Sequence, residues 1–210
     1  MNNTLALEIM VRLSSLFPSV SSELDSINHY TFLVAVLLSA QTKDKSVNAI
    51  TEKLFKVVSN PKQMVEFGLD NLKDYIKTIG LYNNKAKNII ALSKILVEKY
   101  NSEVPLNREV LETLPGIGRK SANVILNQLC DAPYIAVDTH VARVSKRLEL
   151  TNNTNVLKIE KDLYKVIPSE YYTTASNLLV MHGRYTCTAK CPKCNNCILK
   201  DICKFNGSKT

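Results

Sequence analysis

The chain has 210 residues, of which 45% are apolar and 22% are charged, and it contains six glycines and seven prolines. This is the composition of a globular protein, and it excludes a fibrous repeat or disorder throughout the chain. The formal net charge of +8 favours a polyanionic partner such as nucleic acid. The same net charge is explained equally well if its only effect is to keep the protein soluble.

No membrane span or secretory signal is predicted. The longest uninterrupted apolar run, Phe32–Leu38, has seven residues, whereas a helix that crosses a bilayer needs roughly 20. Glu8 and Arg12 interrupt the N-terminal segment where a secretory signal requires apolar residues. We therefore expect an intracellular protein.

Helical spacing of apolar residues dominates the chain, and no stretch alternates with the period of a strand, so an all-α fold is predicted. A first helix, ending near Pro18, is predicted from the apolar residues Leu5, Ile9, Val11, Leu13 and Leu16. Tyr30–Ala40 is apolar around its whole circumference, which predicts a central helix buried among others. Further helices are predicted over Lys45–Val58, Pro61–Phe67, Asn71–Thr78, Asn83–Lys99, Arg108–Leu114, Lys120–Cys130, Thr139–Leu148, Val156–Val166 and Glu170–Met181.

The segment Leu114–Ala122 joins two of these helices through a glycine-rich turn. Gly116 and Gly118 permit positive φ and close approach of another backbone. The exposed N–H groups at the start of the next helix are suited to bind a phosphate without recognising a base. Lys120 lies two positions before the apolar stripe that begins at Ala122 and so points away from it. An isolated lysine in this place is usually solvated or contacts a phosphate, and it is a nucleophile only when deprotonated.

Five of the six cysteines fall within seventeen residues near the C-terminal end, and only Cys130 lies elsewhere. A tight cluster in an intracellular protein is typical of metal ligation rather than of a disulfide framework. The spacing Cys187-x6-Cys194-x2-Cys197-x5-Cys203 suits zinc or a 4Fe-4S cluster and does not decide between them. Lys190 and Lys193 lie inside this loop. Either they contact phosphates, or they are surface charges without a binding role on a loop whose metal site only stabilises the fold.

The turn Leu114–Ala122, the segment Val137–Arg143 and the spaced cysteines together resemble the endonuclease III family of DNA glycosylases. Leu37–Gln41, Thr78–Tyr82 and His182–Tyr185 extend the resemblance over almost the whole chain. The resemblance implies an all-α, two-lobed helix-hairpin-helix glycosylase fold. A six-helix lobe would comprise residues 22–132, with the hairpin at about 108–130. A discontinuous lobe would comprise residues 1–21 and 133–210, with the iron-sulfur cluster loop at 187–203, and DNA would lie between the lobes.

The implied activity is that of a bifunctional DNA N-glycosylase and apurinic/apyrimidinic (AP) lyase acting on oxidised pyrimidines in double-stranded DNA. Lys120 matches the catalytic lysine, which attacks C1′ of an extruded nucleotide and forms a Schiff base that leads to β-elimination. Asp138 matches the catalytic aspartate, which deprotonates the lysine or stabilises the cationic sugar. From the residues alone, Asp138 is better explained as the N-cap of the helix that follows it.

The resemblance also implies residues that contact DNA. Gln41 and Leu81 match positions that insert into the duplex, although Gln41 alternatively caps the core helix and Leu81 is alternatively buried. The other implied DNA contacts are Gly116, Gly118, Arg119, Arg143, Lys190 and Lys193. The expected partner is double-stranded DNA containing damaged pyrimidines or abasic sites, bound by a monomer in the bacterial cytoplasm, associated with the nucleoid when on DNA, and without membrane contact.

The family resemblance assigns a 4Fe-4S cluster to Cys187, Cys194, Cys197 and Cys203. Cys191 is an additional thiol between the first two of these positions, and it creates the alternative spacings Cys187-x3-Cys191 and Cys191-x2-Cys194. We expect Cys191 to be free and prone to oxidation.

Three other functions compete with this interpretation. The related adenine-excising glycosylase shares the hairpin, aspartate and cluster but lacks the lysine nucleophile, so Lys120 opposes it. A non-catalytic DNA-binding protein would retain DNA binding without cutting the strand. An iron-sulfur electron carrier would not need the phosphate-binding hairpin.

Overall fold

The computed structural model describes residues 3–19 and 22–205. Within them the chain forms eleven α-helices, two short 3-10 turns at Ser169–Tyr171 and Cys194–Asn196, and no strand, so the predicted all-α class is confirmed. The helices are α1 (Asn3–Leu16), α2 (His29–Ser39), α3 (Asp44–Leu54), α4 (Pro61–Phe67), α5 (Leu69–Ile76), α6 (Tyr82–Lys99), α7 (Arg108–Leu111), α8 (Arg119–Cys130), α9 (Thr139–Arg147), α10 (Val156–Val166) and α11 (Tyr172–Tyr185). Within residues 3–19 and 22–205, no helix combines the length and the hydropathy of a membrane span.

The helices divide into two compact units. The continuous unit is Ser22–Cys130 and contains α2 to α8. The discontinuous unit combines α1 with the part of the chain from Asp131 onward, which contains α9 to α11.

Helix α2 forms the centre of the continuous unit. Its nine consecutive residues Tyr30–Leu38 are all buried, and it packs against α3, α6 and α8, which confirms the predicted core helix. Asn28 begins α2 through a capping box with Thr31, an arrangement that satisfies donors otherwise left free at a helix start. The Tyr30 hydroxyl lies 2.6 Å from the Ser93 hydroxyl of α6, so the buried phenol has a polar partner.

The core of the discontinuous unit is formed by α1, α9, α10 and α11, with α11 packed against both α1 and α9. In α1 the buried residues are Ala6, Ile9, Met10 and Leu13. The helix predicted from Leu5, Ile9, Val11, Leu13 and Leu16 is confirmed, although Val11 and Leu16 are nearly half exposed. The helix presents only one apolar stripe to its neighbours, and Phe17 extends it beyond the helix end.

Arg12 connects α1 to the segment that follows the cysteines. Its Nη1 donates to the Ile198 carbonyl at 2.9 Å, and its Nη2 donates to Asp201 Oδ2 at 2.9 Å. Glu8, one turn earlier, accepts a further hydrogen bond from Nη2 at 2.6 Å. These charge-assisted bonds hold two segments that are remote in sequence in one position.

Candidate functional site

The glycine-rich turn lies between α7 and α8 and is anchored by the buried side chains of Leu111, Leu114 and Ile117. Gly116 has φ +82°, and a Cβ built there would lie 2.8 Å from Asn88 Nδ2 and 3.0 Å from Leu37 Cδ1. Glycine is therefore required at this position both by the backbone conformation and by the close approach of α6 and α2.

Gly118 differs from Gly116. It is exposed, it does not have positive φ, and a Cβ built there would meet nothing within 4 Å in the described chain, its sequence neighbours aside. Of the two glycines of the turn, only Gly116 therefore adopts the positive φ that glycine permits. The space beside Gly118 leaves the backbone at the start of α8 open to another molecule.

Arg119 and Lys120 are the first two residues of α8. Arg119 Nη1 lies 3.8 Å from Glu112 Oε1 at the end of α7. Lys120 is exposed, as its position outside the stripe of Ala122, Ile125 and Leu126 predicts. The amine is therefore accessible in the first turn of a helix whose N-terminus favours negative charge.

Asp138 directly precedes α9, and its Oδ1 accepts a hydrogen bond from the Val141 backbone N–H at 2.8 Å. The residue is half-buried, and Val141 and Val144 beyond it are buried against the unit's core. The predicted N-cap is therefore confirmed, and the catalytic role of Asp138 stays a prediction. Only one carboxylate oxygen takes part in the cap.

Gln41 and Leu81 share an unusual backbone conformation. Their φ angles are 56° and 60°, in the left-handed region that costs a non-glycine residue about 1–3 kcal/mol and persists only where the surroundings impose it. Gln41 is exposed, and Leu81 is 59% exposed, so the alternative that Leu81 is a core residue is wrong. Gln41 follows Ala40, the C-cap residue of α2.

Four cysteines line one pocket in the discontinuous unit. Its lining includes Cys187, Cys194, Cys197 and Cys203. His182 also lines the pocket, with its Nε2 3.9 Å from Cys197 Sγ. Cys191 is exposed and is not among the lining residues. The structure thus groups the four predicted ligands and separates the additional thiol from them.

The pocket disfavours free thiolates. Burial raises the pKa of Cys197 and of Cys203, and the neighbouring sulfurs of Cys187 and Cys194 raise both pKa values further. Within residues 3–19 and 22–205, no three His, Cys, Asp or Glu side chains lie close enough together to hold a single metal ion. The four thiols instead line the wall of a pocket. A soft, multi-centred group that neutralises four thiolates fits this donor set.

Two arginines of α9 hold the backbone of the cysteine loop. Arg143 donates from Nη2 to the Gly183 carbonyl at 2.9 Å and from Nε to the Cys187 carbonyl at 3.3 Å. Arg147 donates to the carbonyls of Thr188 at 2.7 Å and Ala189 at 2.9 Å. These contacts are not predictable from the sequence, because each joins residues about 40 positions apart and leaves no local signal. The predicted DNA contact of Arg143 stays a prediction.

Lys190 and Lys193 project from the loop and are exposed. The Lys193 backbone N–H donates to the Thr186 carbonyl at 2.9 Å, and the Thr188 hydroxyl donates to the Cys191 carbonyl at 2.6 Å. The loop therefore has an internal hydrogen-bond framework, on which the two ammonium groups are presented to solvent.

Known proteins resemble this chain over nearly its whole length. The profile of the HhH-GPD superfamily base excision DNA repair proteins matches residues 34–169. Endonuclease III of Haemophilus influenzae is 49% identical over 205 residues, which cover 98% of this chain and 97% of the relative. Endonuclease III of Escherichia coli strain K12 is 48% identical, with the same shares covered. The solved structure of a trapped endonuclease III-DNA covalent intermediate matches with a TM-score of 0.92 at 40% identity, covering 97% of this chain and 96% of that chain. Sequence and fold therefore agree that the chain belongs to the endonuclease III family, within the HhH-GPD superfamily of base excision DNA repair proteins.

Proposed function

We propose that this protein is a bifunctional DNA N-glycosylase and AP lyase that removes oxidised pyrimidines from double-stranded DNA. The observation that carries the proposal is the exposed Lys120 amine in the first turn of α8, directly after a hairpin whose backbone at Gly118 is open. A nucleophile on a phosphate-binding element is positioned by the same contacts that hold the DNA strand.

In the proposed reaction the neutral Lys120 amine attacks C1′ of the extruded nucleotide. A C–N bond forms to the lysine, the N-glycosidic bond breaks, and the base leaves with the bonding electrons and takes up a proton. Loss of the remaining amine proton and opening of the sugar give a Schiff base. Removal of a proton from C2′ then expels the 3′ phosphate by β-elimination, which cuts the strand.

Asp138 is proposed to accept the lysine proton or to stabilise the positive charge that develops on the sugar. Its Oδ1 is held by the Val141 N–H, so the helix cap fixes the orientation of the carboxylate. Such a cap leaves Oδ2 for the reaction. The capping and catalytic roles are therefore compatible in one side chain.

Contacts to DNA phosphates are proposed at the hairpin and at the cysteine loop. Gly116, Gly118 and Arg119 offer backbone N–H groups and a guanidinium to phosphates at the hairpin. Lys190 and Lys193 reach phosphates from the cysteine loop, which Arg143 holds through its carbonyls.

Gln41 and Leu81 fill the vacancy left in the duplex by the extruded nucleotide. Their exposure supports this role, because a side chain that enters DNA cannot also be part of the protein core.

Cys187, Cys194, Cys197 and Cys203 are proposed to hold a 4Fe-4S cluster. When bound, the cluster cross-links the loop through four iron-thiolate bonds and makes it rigid. Arg143 and Arg147 also hold the loop, through hydrogen bonds to the backbone carbonyls of Cys187 and Thr188. Cys191 lies outside the ligand set because it is exposed.

We further propose that the two compact units correspond to the two lobes of the glycosylase fold. The protein acts as a monomer in the bacterial cytoplasm and is associated with the nucleoid when bound to DNA.

Borohydride trapping tests this proposal. The cluster-loaded protein is incubated with a duplex that contains one thymine glycol, and covalent complex and strand scission are followed together. We expect wild type to be trapped and Lys120→Gln to give neither product, since an amide does not form a Schiff base. Lys120→Gln is expected to keep its affinity for an abasic-analogue duplex within about threefold, because the phosphate contacts remain.

The alternatives give different results. Base release without trapping would indicate a monofunctional glycosylase and overturn the lyase assignment. Release of adenine, but not of thymine glycol, would indicate the related adenine-excising activity. DNA binding without base release or scission by the folded, cluster-loaded protein would indicate a non-catalytic DNA-binding protein.

A further inference from the structure

Lys85, in the first turn of α6, is a buried lysine that the reaction does not use. It is 5% exposed, and its ammonium group donates to the carbonyls of Leu38 at 2.8 Å and Ala40 at 2.7 Å and to the Thr42 hydroxyl at 2.9 Å. A lysine ammonium has three N–H donors, so all three have a partner. Burial lowers the pKa of Lys85, and these acceptors offset the cost of removing the charge from water.

The three acceptors lie on both sides of Gln41. Ala40 directly precedes it and Thr42 directly follows it, and Gln41 has φ 56°. The Thr42 hydroxyl also lies within 3.4 Å of the Ala40 carbonyl. One ammonium group therefore holds the turn at the residue before and the residue after the position with left-handed backbone.

The backbone of Lys85 holds the second left-handed turn. Its N–H donates to the Leu81 carbonyl at 3.1 Å, and Leu81 is the N-cap residue of α6 with φ 60° and ψ 24°. The side chain of Lys85 thus contacts the Gln41 turn, while its backbone contacts the Leu81 turn. These turns are some 40 residues apart in sequence, and Lys85 joins them directly.

We propose that Lys85 is a positioning residue that holds the Gln41 turn and the Leu81 turn in a fixed relation, so that both exposed side chains enter the duplex together as the damaged nucleotide leaves it. This inference rests on the proposed function. Without the ammonium group, two carbonyls at the end of α2 lose their donor and Gln41 is free to leave its left-handed conformation. The extrusion step then slows, while the chemistry at Lys120 is unchanged.

The first test removes the donor group with Lys85→Met, which keeps an unbranched apolar stem. We expect the single-turnover rate of thymine glycol excision to fall about 10- to 100-fold, the range in which misplacement of remote groups affects a reaction. Affinity for undamaged duplex, which depends on phosphate contacts, stays within about twofold. In a Gln41→Ala background the same substitution has an effect of about twofold or less, because residues that act as a unit are not additive.

The second test uses Thr42, where the change is too small to prevent folding. Thr42→Val removes one of the three acceptors, and Thr42→Ser keeps the hydroxyl. We expect Thr42→Val to slow excision by about threefold or more and Thr42→Ser to match wild type, because only the hydroxyl contacts Lys85.

A readout that needs no catalysis separates this proposal from the activity. The probe is a duplex with a tetrahydrofuran abasic analogue opposite 2-aminopurine, whose fluorescence rises when the base is unstacked. We expect wild type to raise the signal, Lys85→Met to lose most of the rise, and Thr42→Val to lose part of it. If wild type traps no Schiff base, the proposed function fails, while this fluorescence still decides the role of Lys85.

Three results would overturn the role of Lys85. One is a Lys85→Met effect that adds fully to that of Gln41→Ala. Another is equal behaviour of Thr42→Val and Thr42→Ser in both assays. The third is wild type that leaves 2-aminopurine stacked.

Discussion

At the scale of single residues, Asp138 combines a structural and a proposed chemical task in one carboxylate. Its Oδ1 caps α9, and helix caps accept asparagine as readily as aspartate. General-base or electrostatic catalysis, in contrast, requires the negative charge. Substitutions of Asp138 therefore distinguish its capping role from its proposed catalytic role.

We expect Asp138→Asn to keep the free energy of unfolding close to wild type while the rate of Schiff-base formation falls about 100-fold or more. Asp138→Ala should lose the same activity and in addition about 0.5–2 kcal/mol of stability. Urea unfolding and single-turnover trapping measure the two effects. Asn155→Ala, which removes the side-chain cap of α10, is the matched control that lowers stability alone. Full activity in Asp138→Asn would leave the cap as the only role.

Asp162 of α10 illustrates a carboxylate with a purely structural task. Its Oδ2 accepts from the Thr151 hydroxyl at 2.7 Å and from Asn153 Nδ2 at 2.6 Å, and these bonds hold the pKa of Asp162 below its usual value of 3.8. Because the folded-state pKa is lowered, the unfolded chain binds the proton first as pH falls. The stabilisation is therefore present above the usual pKa of 3.8 and is lost as pH falls through the folded-state pKa.

We therefore expect Asp162→Asn to be less stable than wild type at neutral pH, with a smaller difference between the two proteins at about pH 3. Urea unfolding of both proteins at several pH values measures this difference, and acid effects common to both, including those at the cysteines, cancel. A gap between the two proteins that stays constant across the whole range would contradict the assignment.

At the scale of elements, the hairpin between α7 and α8 contains two glycines with different tasks. Gly116 is required by positive φ and by the proximity of Asn88, so it serves the fold. Gly118 has open space where a Cβ would lie, so the protein's own packing does not require it. Packing therefore requires glycine at position 116, whereas at position 118 it leaves room for a side chain.

We expect Gly116→Ala to destabilise the protein by about 1–3 kcal/mol, because alanine is strained at positive φ and its Cβ collides with neighbours. Gly118→Ala should leave stability nearly unchanged and weaken duplex binding about tenfold, because the methyl group lies between the backbone N–H groups and a phosphate. Urea unfolding and fluorescence anisotropy with a labelled duplex measure the pair. Unchanged DNA affinity in Gly118→Ala would exclude close approach of a phosphate there.

The helices are largely predictable because local patterns determine them. The bounds of α4 and α10 agree with those predicted from sequence, since Asn60 and Asn155 cap them and apolar spacing runs through both. The end of α7 is not predictable in this way. Helix α7 ends at Leu111, not at Leu114, because Thr113 and Leu114 form i to i+3 hydrogen bonds as the chain tightens into the turn.

The site is predictable only where its signal is local or resembles a known motif. Lys120 and the four pocket cysteines meet that condition. Lys85 does not, since its acceptors lie more than 40 residues earlier and a lysine in an amphipathic helix normally indicates an exposed position. The loop contacts of Arg147 are equally remote, because its acceptor at Thr188 lies 41 residues later in the chain.

At the scale of the whole molecule, the net charge of +8 can favour DNA binding in two ways, through local contacts to phosphates and through long-range attraction. Lys190 and Lys193 are exposed on the cysteine loop, and each phosphate contact by a lysine displaces a bound counterion. Long-range attraction due to total charge is a separate effect. Salt dependence distinguishes local contacts from total charge.

We expect Lys190→Gln with Lys193→Gln to reduce the slope of log affinity against log salt concentration by about 2, close to one unit for each lost phosphate contact. Lys158→Gln with Lys161→Gln is the matched control, because it removes the same charge from exposed positions of α10. The control should leave the slope nearly unchanged. Equal slopes for the two double variants would place the contacts of the cysteine loop outside the DNA interface.

Synthesis on the ribosome releases α1 long before its packing partners in α10 and α11. The 109 residues of Ser22–Cys130 emerge in between, which takes on the order of 10 s at typical elongation rates. During that interval Ala6, Ile9, Met10 and Leu13 have no core to enter, while the continuous unit is free to fold. The apolar face of α1 therefore stays exposed to water in the nascent protein until the rest of the discontinuous unit has been synthesised.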